Sequence, residues 1–293
     1  MAAIALLGCR VPPANQIPTA PPAGTATSDG ALQQSGAPGQ IASSTSSAES
    51  ATGTANETDT QPTDSAPKAP SAEELAYAKA LDLAKNPTPE RIYDQLTAIV
   101  PDNPRLAWKD IDGQPHVRVA SWVSTFKYYQ DSVGKPYNTG KYDIWVTAAP
   151  FVQELCRDPE FRGADVDARL VQLLCLPPGT SKQGFMSAWV RADDLFRPCP
   201  DNEVTDTVCG LALPNDVEPW YRAWFNDLRA KQYFVAKDPE WPGWPWTQLG
   251  YTFDWHDLER PIGVSEFVIK NNATIQIEAL TPPAEYCAPS AQP

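Results

Sequence analysis

Residues 10–69 are drawn almost wholly from Ala, Pro, Gly, Ser, Thr, Gln and Asn, and this stretch decides how much of the 293-residue chain is able to fold. A segment with so few large apolar side chains cannot bury enough surface to offset its ordering entropy, so it is expected to be disordered. Its mixture of Gly/Ser with Pro makes a coil with stiffer patches, and roughly 60 such residues reach on the order of 45 Å root-mean-square. Any core must therefore come from residues 70–293. The net charge of −13 argues against nucleic acid as a partner, because displacing phosphate counter-ions requires clustered Lys and Arg. No run of about 18 apolar residues is present to serve as a membrane-spanning helix.

Residues 1–9 form a short apolar run closed by Leu6-Leu7-Gly8-Cys9. These four residues resemble the lipobox of bacterial lipoproteins, in which the cysteine is acylated and becomes the new N-terminus. The resemblance implies a truncated signal at 1–9, a membrane partner through lipid at Cys9, a tether at 10–69 and a folded domain at 70–293. It also implies a bacterial envelope location, periplasmic or at the cell surface. A secretory signal begins with a positive segment and a longer apolar core, so the true start is expected to lie further upstream. More than one acyl chain gives stable anchoring where a single chain binds reversibly.

The folded part mixes helix and strand signals without a βαβ repeat. Ser71 followed by Glu73 and Glu74 caps a helix carrying Leu75, Ala78 and Leu81. The spacing of Ile92, Leu96 and Ile99 predicts a second short helix after Pro89, and Phe151–Cys156 and Asp165–Leu174 predict two more. Val217, Trp220, Trp224 and Leu228 predict a helix over 214–231. Alternating runs at 116–123, 142–147 and 185–191 predict strands, the first two pairing antiparallel. The runs 264–269 and 274–279 around Asn271-Asn272 read as a hairpin. The expected fold class is α+β: a single compact domain with a mostly antiparallel sheet and several short helices.

In an exported protein, scattered cysteines are more often bridged than metal-bound. Cys199 and Cys209 are the most local pair, closing an acidic loop, and Cys287 is expected to be tied back by Cys156 or Cys175. With no CxxC pair, zinc is not expected.

The loop's Asp201, Asn202, Glu203 and Asp206 offer oxygen atoms to calcium, although the EF-hand spacing and glycine are missing. No nucleophile-elbow, zincin, Walker or dinucleotide fingerprint occurs, so neither a cofactor nor a nucleotide partner is expected. Asp254 and Glu266 lie among aromatics with His256 close to the former, the minimum equipment for glycosidic hydrolysis. The hairpin from Ser265-Glu266 resembles the Glu-bearing strand of ADP-ribosyltransferases, but Val264 stands where their first Glu belongs, and that activity is not carried over.

Two stretches, 194–201 and 245–255, resemble exported bacterial proteins of unassigned activity and imply export alone. Trp241, Trp244, Trp246, Tyr251 and Trp255 form the densest ring surface in the chain. With Pro242 and Pro245 fixing the backbone between indoles, two readings stand: the indoles fill the gap between the Trp220/Trp224 helix and the C-terminal hairpin as core, or at least one ring stays exposed and stacks on neutral cell-wall glycan. A non-catalytic binding or structural role is the leading expectation, with a glycan hydrolase as the alternative.

Overall fold

The computed structural model describes residues 69–162, 165–235 and 243–289. Cys9, residues 10–68 of the tether and Trp241 lie outside the described residues.

The described chain is an α+β domain in which all strand pairings are antiparallel. It opens with helix α1 (Ala72–Lys85), whose Ser71 cap forms a reciprocal pair of hydrogen bonds with Glu74. Strands β1 (Trp108–Ile111) and β2 (Gln114–Val123) form a hairpin around Asp112 and Gly113. Both turn residues have positive φ, 54° and 76°, the two-residue geometry that matches strand twist.

After β3 (Pro136–Asn138) and β4 (Ile144–Ala148) come three helices, α2 (Phe151–Arg157), α3 (Pro159–Arg162) and α4 (Val166–Leu173). Then follow β5 (Gly184–Arg191), the short β6 (Leu195–Phe196) and helix α5 (Pro219–Tyr233). The chain closes with β7 (Tyr251–Phe253), β8 (Ile262–Ile269), β9 (Thr274–Thr281) and α6 (Pro283–Tyr286).

The sheet order is β3-β9-β5-β2-β4-β8-β6, with β1 paired to β2 and β7 to β8. β2 stands in the middle of this order, and β5 pairs with it over the whole length of β5, from His116↔Arg191 to Val123↔Gly184. The expected pairing of the strands at 116–123 and 142–147 is present as β2 with β4.

The expected hairpin at the C-terminal end is not. β8 and β9 are joined by a short turn, yet β4, β2 and β5 lie between them in the sheet. Four strand spacings in a flat sheet come to about 19 Å. The five backbone steps from Ile269 to Thr274 reach only about 17 Å. The sheet must therefore roll, bringing β8 and β9 together at a corner. The packing agrees: Val117 and Val119 of β2, Ala188 and Val190 of β5, Phe267 and Ile269 of β8, and Ile275 and Ile277 of β9 share one core inside the roll.

The outer surface of the roll carries two further layers. Ala120 and Trp122 of β2 and Phe185 of β5 face outward against α1, α2, α4 and the C-terminal segment, with Trp122 stacked on Phe185 and Phe185 on Tyr286. Helix α5 packs on Phe196 of β6 and Val268 of β8 through Tyr221 and Phe225. Its buried face is turned from the expected stripe: Trp220 is 44 % exposed and Tyr221 is fully buried. The helix also begins later than expected, at Pro219.

The second predicted helix is also corrected. Only a turn of 3-10 helix forms at Pro89–Arg91. Beyond it, the Leu96 and Ile99 amides donate to the Thr207 and Val204 carbonyls of the Cys199–Cys209 loop. Bonding to a disulfide-closed loop displaces the helical bonds that apolar spacing alone predicted.

Cys156 is bonded to Cys287 and Cys199 to Cys209, while Cys175 is a buried free thiol. Among the described residues, no helix is long and apolar enough to cross a membrane.

Candidate functional site

The three residues set out for hydrolysis stand in three different environments. Asp254 follows β7, and both its carboxylate oxygens are held by the Arg169 guanidinium of α4, at 2.9 and 2.5 Å. A carboxylate held by a planar fork through two charge-assisted hydrogen bonds is engaged in structure. Glu266 on β8 is 4 % exposed, and its Oε1 has no hydrogen-bond partner. Burial pushes its carboxyl well above the usual range, so it is held protonated. His256 stands on the surface, and its backbone N–H, not its ring, donates to Asp254. A glycosidase needs two carboxyl groups flanking one accessible bond. Here one is consumed, one is sealed in and the imidazole faces solvent.

The Glu266 carboxyl has a measurable consequence. Its pKa is raised in the folded state, so it keeps its proton while the unfolded chain releases one above about pH 4.5. Its contribution to stability is thus fully present below the unfolded pKa and is lost as pH rises toward the folded value, by at most about 1.4 kcal/mol per pH unit. Glu266→Gln removes that dependence. Denaturant unfolding of both proteins at pH 4.5, 6 and 7.5 is expected to show the variant gaining on the parent as pH rises. Parallel pH profiles would overturn the assignment.

The buried thiol of Cys175 offers no nucleophile. Burial pushes it well above its ordinary range, and the thiolate is the reactive form.

The described rings of the aromatic segment lie in or against the core. Trp246 is 1 % exposed, donates its indole N–H to the Pro198 carbonyl at 3.0 Å, and packs edge-on against Trp224 and Phe225 of α5. Tyr251 is 2 % exposed and donates its hydroxyl to the Arg91 carbonyl, and burial pushes that phenol up to about 12. Trp255 is 3 % exposed and donates to Leu176. Trp244 is half-buried, edge-on to Trp145. Satisfied N–H groups and dense ring contacts are the marks of a packing centre. The exposed indole on this side of the molecule is Trp220, which rests edge-on against Phe196 and donates its N–H to Glu218 at 2.8 Å.

The carboxylates of the acidic loop are engaged by neighbouring groups. Asp206 pairs with Arg197, Glu203 accepts from the Thr205 hydroxyl, and an Asp201 oxygen accepts from the Glu203 amide. Each of these bonds occupies a side-chain oxygen of the loop. Among the described residues, no group of acidic, His and Cys side chains is placed to hold a metal ion.

What the structure adds is a cleft of about 180 Å³ where α1 ends, beside α5 and the disulfide loop. Pro87, Pro200, Leu211 and Leu213 wall it, and the buried Phe225 ring lies at its base. Asn226 and Arg229 of α5 and the Gln248 amide supply its polar groups. Gln248 is in the left-handed region, φ 61°, and its Nε2 donates to the Ala84 carbonyl at the end of α1, at 3.0 Å. The helical spacing of Phe225, Asn226 and Arg229 places them on one side of α5, but nothing in the sequence joins that side to Gln248 or Pro87. Comparison with family models, with curated proteins and with solved structures found no match.

Proposed function

We propose that this chain is an exported, lipid-anchored bacterial envelope protein whose folded domain binds rather than catalyses, with cell-wall glycan as its contact. The observation that carries this reading is the state of the cysteines. Downstream of Leu6-Leu7-Gly8-Cys9, four of the five cysteines are joined in two bridges within one domain, which suits an oxidising compartment. The candidate acid and base residues are spent on structure, which favours binding over hydrolysis. For a neutral sugar, the stacking surface falls to Trp220, whose ring is held from one edge by Phe196 and through its N–H by Glu218.

The test is cell fractionation with the full signal in place. Cys9→Ser is expected to move the protein from the membrane fraction to the soluble exported fraction, and the soluble form is expected to sediment with isolated peptidoglycan. Recovery of the variant in the membrane fraction would sink the anchor. Loss of all association with wall material would sink the glycan contact while leaving the anchor in place.

A further inference from the structure

We propose that the cleft beside α5 binds the carboxylate end of a short peptide or N-acyl amino acid. Three chemical features lie together there. The first is a cation without a partner: among the described residues Arg229 makes no ion pair, and its described contact is the Phe234 ring, 5.3 Å from the centroid. Other arginines of this acidic chain are already paired, Arg105 with Glu154, Arg118 with Glu278, Arg169 with Asp254 and Arg197 with Asp206. The second is a fixed amide. Gln248 is 2 % exposed and anchored through Nε2 to the end of α1, and its carbonyl oxygen accepts from no donor among the described residues. The third is an apolar base and wall, Phe225 with Leu211 and Leu213, for a small side chain.

A cation, an amide acceptor and an apolar surface in one cleft match the carboxylate, the N–H and the side chain of a terminal residue. The volume sets the size. A cleft of about 180 Å³ is small and suits a single terminal residue rather than a longer peptide. The charge is also set. Arg229 lies in the last turns of α5, where the helix dipole is negative, and the chain carries −13 overall. Both disfavour a dianion such as phosphate and leave a single carboxylate as the ligand that one guanidinium can hold. The inference stands on the cleft and does not depend on the lipid anchor or the glycan contact.

The test uses the full chain with its disulfides intact, isotope-labelled for chemical-shift titration. The ligands are N-acetyl-D-alanyl-D-alanine, its L,L counterpart and the C-terminal amide of each. Binding of at least one acid with a dissociation constant on the order of millimolar, and at least tenfold weaker binding of its amide, is expected for a ligand of this size. Arg229→Gln, a change at a part-exposed position, is expected to weaken the acid at least tenfold with the melting temperature held. Leu211→Asp, which sets a second carboxylate beside the cleft, is expected to weaken it likewise. Preference for the D,D acid assigns a wall-type stem peptide, and preference for the L,L acid assigns an ordinary polypeptide C-terminus. No shift with either acid at tens of millimolar, equal binding of acid and amide, or an unaffected Arg229→Gln protein would each overturn the proposal.

Discussion

Replacing Cys156 and Cys287 together by alanine is expected to lower the melting temperature by about 10 °C or more, the larger of the two bridge effects. The bridge spans a sequence separation of 131 residues, against 10 for Cys199–Cys209. In the chain-entropy model, a loop of this length restricts the unfolded state by about 5 kcal/mol, and a ten-residue loop by about 3 kcal/mol. At about 2–4 °C per kcal/mol for a domain of this size, the long bridge contributes the greater shift. It also fixes the end of the chain where the core needs it. Tyr286, next to Cys287, stacks on Phe185 at 3.9 Å, and the Tyr286 carbonyl accepts from the Gln153 amide of α2. Without the bridge, the docking of α6 rests on that ring and that bond. Thermal melts of the double variant and of a Cys199→Ala/Cys209→Ala protein provide the comparison. A double variant at 156 and 287 that melts within about 2 °C of the parent would show that packing alone holds the tail.

The strands legible in the sequence were those whose alternation reflects a two-sided environment. On β2, Val117 and Val119 point into the roll while Ala120 and Trp122 point to the helical layer, so the period of two survives although both faces are covered. The Asp112-Gly113 turn is an equally local signal for the β1–β2 hairpin. The misplaced hairpin shows what local pattern cannot carry. Two apolar strands with an Asn-Asn turn look alike whether they pair with each other or diverge at the corner of a rolled sheet. The choice is made by β4 and β5, which occupy the edges that β8 and β9 would have shared. The helix expected at 92–99 failed for the same reason, its amides being claimed by carbonyls more than a hundred residues on.

Aromatic density located the packing centre and said nothing of exposure. Nine residues upstream of Trp255, Trp246 is sealed by α5, whereas Trp220, on α5 itself, is left in solvent. The environment of a carboxylate is not legible from its sequence neighbours when its partner in space is remote: Arg169 lies 85 residues from the Asp254 it clamps. Arg197 is the exception in which proximity was informative, since its counter-ion stands in the acidic loop that follows it.

Arg197→Met is expected to lower stability by about 3–5 kcal/mol, the range for breaking one side of a buried charge pair. The guanidinium is fully buried. One terminal nitrogen meets Asp206, and the other donates to the carbonyls of Thr97 at 3.1 Å and Asp206 at 2.9 Å. Methionine fills much of the same volume but donates nothing, so the carbonyls and one carboxylate lose their partner together. The side chain also ties three parts of the fold at once: the segment after α1, the disulfide loop and the loop before β7. Gly250 belongs to the last of these, at φ 80°, and a Cβ there would lie 2.8 Å from the Arg197 Cδ, so the backbone has been shaped around the arginine. Arg197→Lys is expected to recover little, because a single ammonium cannot span acceptors arranged for a planar fork. The informative companion is Arg197→Met with Asp206→Leu, which removes both charges. If the loss comes from an uncompensated carboxylate, the double change regains stability relative to Arg197→Met. If it comes from the orphaned carbonyls of Thr97 and Asp206, the double change regains nothing. Urea unfolding of the three proteins at one pH separates the two, and an Arg197→Met protein within about 0.5 kcal/mol of the parent would remove Arg197 from its place at the centre of this network.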